Sequence, residues 1–316
     1  MSKIAFVFPG QGSQSVGMGQ DFFEQAAAKK VYETFDRLVA PNLSLVCFNG
    51  PEEELRRTLY TQPSILATSL AALELLREKT QVKPVIVAGH SLGEYGALYA
   101  AGVISLETAA QLVKERSKLM ESAPKGAMSA VLGLEGRTVE DVVDAYRKEF
   151  HTVIAVANYN TDNQTVISGA PEAVEKVSAL LKEAGAKRVM PLPVGGAFHS
   201  PLMNAAAESF TAYLSDFEFQ TAQIPVITNV DAALTTDATD IRQKLGRQID
   251  SSVRWTQTMN RMIAEQGIDT VVEIGPGKVL TGMFKKMFPD VRLLNVLDLA
   301  SVEETAAQLN SNLASV

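Results

Sequence analysis

The chain has 316 residues, 46% of them hydrophobic and 21% charged, with a formal net charge of -7. This composition belongs to an ordinary globular enzyme and excludes a disordered or fibrous chain, while the acidic balance argues against broad nucleic-acid binding, which needs clustered Lys and Arg. Cys47 is the only cysteine, so neither an internal disulfide nor a cysteine-based zinc site can form, and no metal is expected.

The first apolar run, Ile4–Phe8, reads as a strand. It is too short and too poorly flanked for a secretory h-region, and no apolar stretch of roughly 18 residues follows, so a soluble cytoplasmic protein with no membrane association is expected. The strand leads into Phe8-Pro9-Gly10-Gln11-Gly12-Ser13-Gln14. That loop lacks the G-K-S/T of a phosphate loop, and Ser15 stands where a dinucleotide fingerprint needs its third glycine. Its glycines instead let the main chain approach a ligand, which makes the amide of Gln11 a candidate oxyanion donor.

Pro84–Ala88 is a second β-rich run, followed by Gly89-His90-Ser91-Leu92-Gly93 and a helix rich in Gly and Ala. A serine nucleophile on a sharp strand-to-helix turn needs small residues on either side, because side chains there collide when the serine takes its strained backbone conformation. Ser91 is therefore the candidate nucleophile, and the amide of Leu92, at the start of the helix, a second candidate oxyanion donor. The next helix opens with Ser105 as N-cap and places Leu106, Ala109, Leu112, Val113, Arg116 and Met120 on one stripe. A guanidinium in that apolar register must be hydrogen-bonded. Its partner is either a substrate carboxylate or a structural Asp or Glu, unless the side chain reaches water.

From Ala127 to Val194 the order is strand Met128–Leu132, helix Val139–Phe150, strand Val153–Ala157, strand Gln164–Ser168, helix Pro171–Ala184 and strand Arg188–Pro191, a βαββαβ unit. Pro124-Lys125-Gly126 and Pro193-Val194-Gly195-Gly196 are its hinges. Further strands are expected at Pro225–Thr228, Thr270–Ile274 and Arg292–Leu297. The fold class is thus α/β: a large α/β-hydrolase-like parallel-sheet core, residues 1–124 and 198–316, with an inserted small ferredoxin-like lobe, residues 125–197.

Only three histidines are present. His90 neighbours the nucleophile and should point away from it, and His151 ends an amphipathic helix in the small lobe. His199 remains as general base, in a loop where Ser200 caps and Pro201 opens the helix Leu202–Leu214, whose N-terminal dipole would keep the imidazole neutral. Lys187 with Arg188, or Lys285 with Lys286, is a candidate docking patch for an acidic partner, although such a pair is more often just a solvated charge cluster.

Together, FPGQGSQ (Phe8–Gln14), GHSLGEY (Gly89–Tyr95), ERSKLM around Arg116, GAFHS (Gly196–Ser200) and EIGPG (Glu273–Gly277) resemble the malonyl-CoA:acyl carrier protein transacylases of fatty acid synthesis, over nearly the whole chain. The resemblance implies transfer of a malonyl group from coenzyme A to the phosphopantetheine thiol of acyl carrier protein, with no permanently bound cofactor. It implies Ser91 as nucleophile, His199 as base, Arg116 on the malonyl carboxylate, the amides of Gln11 and Leu92 as oxyanion hole, and the main-chain carbonyl of Gln248 orienting the histidine. Ala197-Phe198-His199 is similar to the malonyl-type string of related polyketide acyltransferases, where a bulky Phe198 fills the space of an α-methyl group. A serine hydrolase, which would draw its acid from a residue such as Asp162, and a free-standing polyketide extender-unit acyltransferase are the alternatives.

Overall fold

The computed structural model describes residues 2–314. Strand β1 (Ile4–Phe8) is buried along its whole length. Ile4, Phe6 and Phe8 pack into one core and Ala5 and Val7 into another, as the two-residue period of a central strand requires. Helices α1 (Ala26–Leu38), α2 (Leu43–Asn49), α3 (Glu52–Leu55) and α4 (Thr58–Lys79) follow. They were not read from the sequence. In α4 apolar and small residues are buried on every side, so no amphipathic stripe marks it.

The chain then forms β2 (Ile86–Gly89), α5 (Gly93–Ala100) and α6 (Leu106–Ser122). Next come β3 (Ala127–Leu132), α7 (Gly136–Phe150), β4 (Ile154–Thr161), β5 (Gln164–Gly169), α8 (Pro171–Glu183) and β6 (Arg188–Pro191). After it come α9 (Asn204–Leu214), β7 (Val226–Ile227), β8 (Leu234–Thr235), α10 (Ala238–Arg247) and α11 (Trp255–Asn260). The last elements are β9 (Thr270–Ile274), α12 (Val279–Met287), β10 (Arg292–Val296) and α13 (Leu299–Ala314).

The larger sheet has the order β10-β9-β1-β2-β7-β8, and all its pairs are parallel except β7 with β8. The smaller one is antiparallel, in the order β4-β5-β3-β6. Val131, Ile154 and Ile167 from its strands share a core with Val139 and Val143 of α7 and Val174, Val177 and Leu181 of α8.

Two departures from the expected elements matter for the site. Strand β4 continues to Thr161 instead of stopping at Ala157 because its pairing with β5 runs on to Thr161 opposite Gln164, and Val253 bridges its other edge, donating to the carbonyl of Ala157 at 2.8 Å and accepting from the amide of Tyr159 at 2.9 Å. The helix expected from Leu202 begins as a 3-10 turn, Pro201–Met203, and becomes α-helical only at Asn204. An antiparallel bridge joins Lys125, before β3, to Gly196, after β6.

Candidate active site

Strand β2 ends at Gly89 and α5 begins at Gly93, so the reversal is confined to His90, Ser91 and Leu92. Ser91 has φ of 50°, a left-handed conformation that costs a non-glycine residue about 1–2 kcal/mol. The flanking glycines are required by contact. A Cβ on Gly89 would lie 1.9 Å from the carbonyl carbon of Gly93, and one on Gly93 would lie 2.0 Å from the carbonyl oxygen of Phe8. Asn229, just after β7, braces the turn from the other side. Its Oδ1 accepts from the amide of Ser91 at 2.7 Å, and its Nδ2 donates to the carbonyl of Gly89 at 2.7 Å.

His199 also has a positive φ, 57°. Its Nε2 lies 2.7 Å from Ser91 Oγ, while Nδ1 faces the carbonyls of Gln248 at 2.9 Å and Ser251 at 3.1 Å. Two carbonyl acceptors place the proton on Nδ1, leaving Nε2 to accept the serine hydroxyl proton. The imidazole is pushed down to about 3, first by burial and second by the positive charge of Arg116. The helix dipole expected from the sequence is not the leading cause. The α-helix starts too far along, at Asn204, for that effect to lead.

No carboxylate among the described residues hydrogen-bonds His199, and Asp162, the acid a hydrolase triad would require, is exposed on the β4–β5 turn. His90 turns its Nε2 to Asn160 Oδ1 at 2.8 Å and packs against Trp255. His151 is the exposed C-cap of α7.

Arg116 is 0% exposed, and its partners are neutral. Nη1 donates to Gln62 Oε1 at 2.6 Å; Nη2 donates to Ser91 Oγ and to Gln248 Oε1, each at 3.0 Å. Its guanidinium carbon lies 5.6 Å from the centre of the Tyr95 ring. No structural Asp or Glu forms an ion pair with it among the described residues, and it does not reach water. Burial lowers the pKa of the guanidinium, so a substrate carboxylate would bring both charge and acceptors to a group that lacks the first.

A cavity of about 100 Å³ opens beside these atoms, with Gln11, Met120, Met128, Leu192 and Phe198 in its wall together with Ser91 and His199. The amides of Gln11 and Leu92 make no hydrogen bond among the described residues and remain available as donors. The described residues hold no cluster of His, Cys, Asp or Glu suited to a metal ion.

Sequence reasoning missed Gln62, Asn229 and the Gln248 side chain, and it quoted Glu94 without giving it a task. Gln62 carried a faint signal, a polar residue before Pro63 inside an apolar helix. The Glu273–Gly277 motif proves to be architectural here. The buried Glu273 carboxylate accepts from the amides of Leu280 at 3.0 Å and Thr281 at 2.8 Å, capping α12.

Fold and site together have the form of a serine-based acyl-transferring enzyme, and the family described as the acyl transferase domain matches residues 5–310. The malonyl CoA-acyl carrier protein transacylase of Bacillus subtilis is 44% identical over 319 residues, covering 99% of this chain and 100% of that protein. A solved acyl carrier protein S-malonyltransferase from Vibrio cholerae has 41% identity and a TM-score of 0.91, covering 96% of this chain and 100% of its own. A structure of a type II PKS acyl-carrier protein in complex with its malonyl-transacylase matches with a TM-score of 0.92 and 38% identity, over 97% of this chain and 100% of that one. The chain belongs to the malonyl CoA-acyl carrier protein transacylase family.

Proposed function

We propose that the protein transfers a malonyl group from coenzyme A to the phosphopantetheine thiol of an acyl carrier protein through an ester on Ser91. One observation carries the chemistry: Ser91 Oγ lies 2.7 Å from His199 Nε2 and 3.0 Å from Arg116 Nη2, so base, nucleophile and carboxylate reader converge. His199 Nε2 takes the hydroxyl proton as Oγ attacks the thioester carbon, and the resulting oxyanion accepts from the amides of Gln11 and Leu92. The tetrahedral adduct collapses, the C–S bond breaks, and the proton passes to the departing thiolate. The carrier thiol then gives its proton to the same nitrogen and attacks the ester, releasing Ser91 as a hydroxyl.

The carbonyl of Gln248 holds Nδ1–H throughout, which keeps one tautomer and needs no acid residue. The malonyl carboxylate takes over the guanidinium donors now spent on Gln62 and Ser91. The small volume beside Ser91 favours a short acyl unit, and Phe198 in its wall disfavours an α-methyl branch.

The same reading extends to organisation and setting. Residues 1–124 and 198–316 form an α/β-hydrolase-like lobe, and residues 125–197 form a ferredoxin-like one, in keeping with the strand order β4-β5-β3-β6 and two helices over one face. The carrier docks on exposed cations, either Lys187 with Arg188 or Lys285 with Lys286. The first pair is favoured because it lies beside and on β6, whose continuation brings Leu192 and Val194 into the cavity wall. No described helix is long and apolar enough to cross a membrane. The proposed reaction runs in the cytoplasm, with malonyl-CoA and the carrier as substrates and no resident cofactor.

Incubation with malonyl-CoA followed by intact-mass measurement tests the proposal. The wild type should gain one malonyl group, lose it to added carrier, and gain none as Ser91→Ala. A Ser91→Ala protein that still loads the carrier would overturn it. The hydrolase alternative predicts that water discharges the malonyl-enzyme as fast as the carrier does.

A further inference from the structure

Glu94 stands three residues beyond the nucleophile, on α5, and no step above uses it. Its side chain is 1% exposed and forms no ion pair among the described residues. Both its contacts are hydrogen bonds to Oε2: Gln248 Nε2 donates at 2.6 Å and the amide of Asn229 at 3.3 Å. The Gln248 amide is itself fully committed. Its nitrogen also donates to the carbonyl of Ser91 at 2.9 Å, while its oxygen accepts from Arg116 Nη2 at 3.0 Å.

A side-chain amide can stand either way round, and its neighbours decide which. Burial pushes the Glu94 carboxyl up to about 7, and above that pH the ionised carboxylate only accepts, so it joins the Ser91 carbonyl in drawing the nitrogen of Gln248 and turning the oxygen to the guanidinium. Flipped, the amide would set oxygen against carboxylate at one end and nitrogen against guanidinium at the other. Both mismatches would be buried, where an unmade hydrogen bond is most costly.

We propose that Glu94 is a positioning residue for acyl recognition: its carboxylate locks the Gln248 amide with the oxygen toward Arg116, and the locked amide holds the guanidinium where an incoming carboxylate meets it. Glu94 acts through Gln248 and does not touch substrate. The inference rests on Arg116 as reader of the acyl carboxylate.

The test compares acylation of Ser91 by malonyl-CoA and by acetyl-CoA at about pH 8, where the Glu94 carboxylate is ionised. Glu94→Gln has the same shape but offers a donor as well as an acceptor, so it weakens the lock on Gln248, leaving only the Ser91 carbonyl and the guanidinium to orient the amide. Its kcat/KM for malonyl-CoA should fall by about tenfold, the loss of one hydrogen bond to a charged group, chiefly through KM. The acetyl-CoA reaction should fall far less, narrowing the preference between the two. Glu94→Asp, which restores an acceptor-only group, should recover part of that preference. In an Arg116→Ala background, Glu94→Gln should leave the preference where Arg116→Ala put it. An equal fall for both thioesters, or an unchanged malonyl KM in a folded variant, would overturn the proposal. Should Glu94→Gln fail to fold, Gln248→Leu asks the same question, since it keeps the main-chain carbonyl facing His199; a loss shared equally by both thioesters counts against the proposal there too. If Arg116→Ala retains the malonyl preference, the reading of Arg116 has failed. If Arg116→Ala abolishes it and Glu94→Gln preserves it, this inference alone has failed.

Discussion

Arg116 and Ser91 are in direct contact: the guanidinium Nη2 donates to the nucleophile's Oγ at 3.0 Å across 25 residues of chain. On the proposed reading, an acyl group whose carboxylate is held by this arginine brings its thioester carbon to the Ser91 hydroxyl. Arg116→Ala should lower kcat/KM for malonyl-CoA by about 100-fold or more, because at least two charge-assisted hydrogen bonds are lost. Arg116→Lys should rescue little, since an ammonium cannot reproduce the planar fork that serves Gln62, Gln248 and Ser91 together. Steady-state kinetics with malonyl-CoA and acetyl-CoA check both.

The His199 ring, pushed down to about 3 by burial first and by Arg116 second, stays neutral through roughly pH 5 to 8 in the free enzyme. The pH profile of kcat/KM for Ser91 acylation should therefore show no limb from this ring near its ordinary value of about 6.5. Removing a positive neighbour favours imidazolium, so Arg116→Ala should raise the ring's pKa and move its acid limb toward neutrality. A His199 limb in the wild type near 6.5, unmoved in the variant, would contradict the assignment.

Gly93→Ala, like Gly89→Ala, should be a severely damaging single-methyl addition at the elbow. The added carbon would sit 2.0 Å from the carbonyl oxygen of Phe8, the last residue of β1, and neither backbone has room to yield. Loss of at least about 1–3 kcal/mol and of activity is expected. Gly195→Ala is the control: nothing lies within 4 Å of its Cβ position, and its unfolding temperature should match the wild type.

Asn229→Ala should lower kcat more than it raises KM. The substitution strips partners from the Ser91 amide and the Gly89 carbonyl, leaving two main-chain groups unsatisfied at about 1–3 kcal/mol each and freeing the strained turn to relax. Asn229→Asp keeps the acceptor for Ser91 but loses the donor to Gly89, and it sets a second carboxylate close to Glu94. Burial already pushes the Glu94 carboxyl up to about 7, so the added charge should push it further in the same direction. Thermal unfolding and single-turnover acylation separate the structural cost from the catalytic one.

Much of the site was legible because its chemistry rests on local spacing. Gly89-His90-Ser91-Leu92-Gly93 is a turn whose glycines answer to contacts within five residues and to the strand alongside. His199 emerged from only three candidates. Arg116 stood out because a charge in an apolar register demands a partner. Helix α4 was illegible for the complementary reason: burial on all sides erases the stripe that marks a surface helix.

The chain's own order of residues determined which groups are proposed for the chemistry, a hydroxyl at 91, an imidazole at 199 and a carboxylate-binding guanidinium at 116, because each needs a particular side chain in a particular local setting. Only the folded molecule decided how they are held. Asn229 lies 138 residues from the amide it braces, Gln248 lies 49 from the ring it orients and 154 from the carboxylate that sets its amide. Such partners are selected by which elements pack together, and a hydrogen bond closed across that much chain leaves no periodic mark on either end.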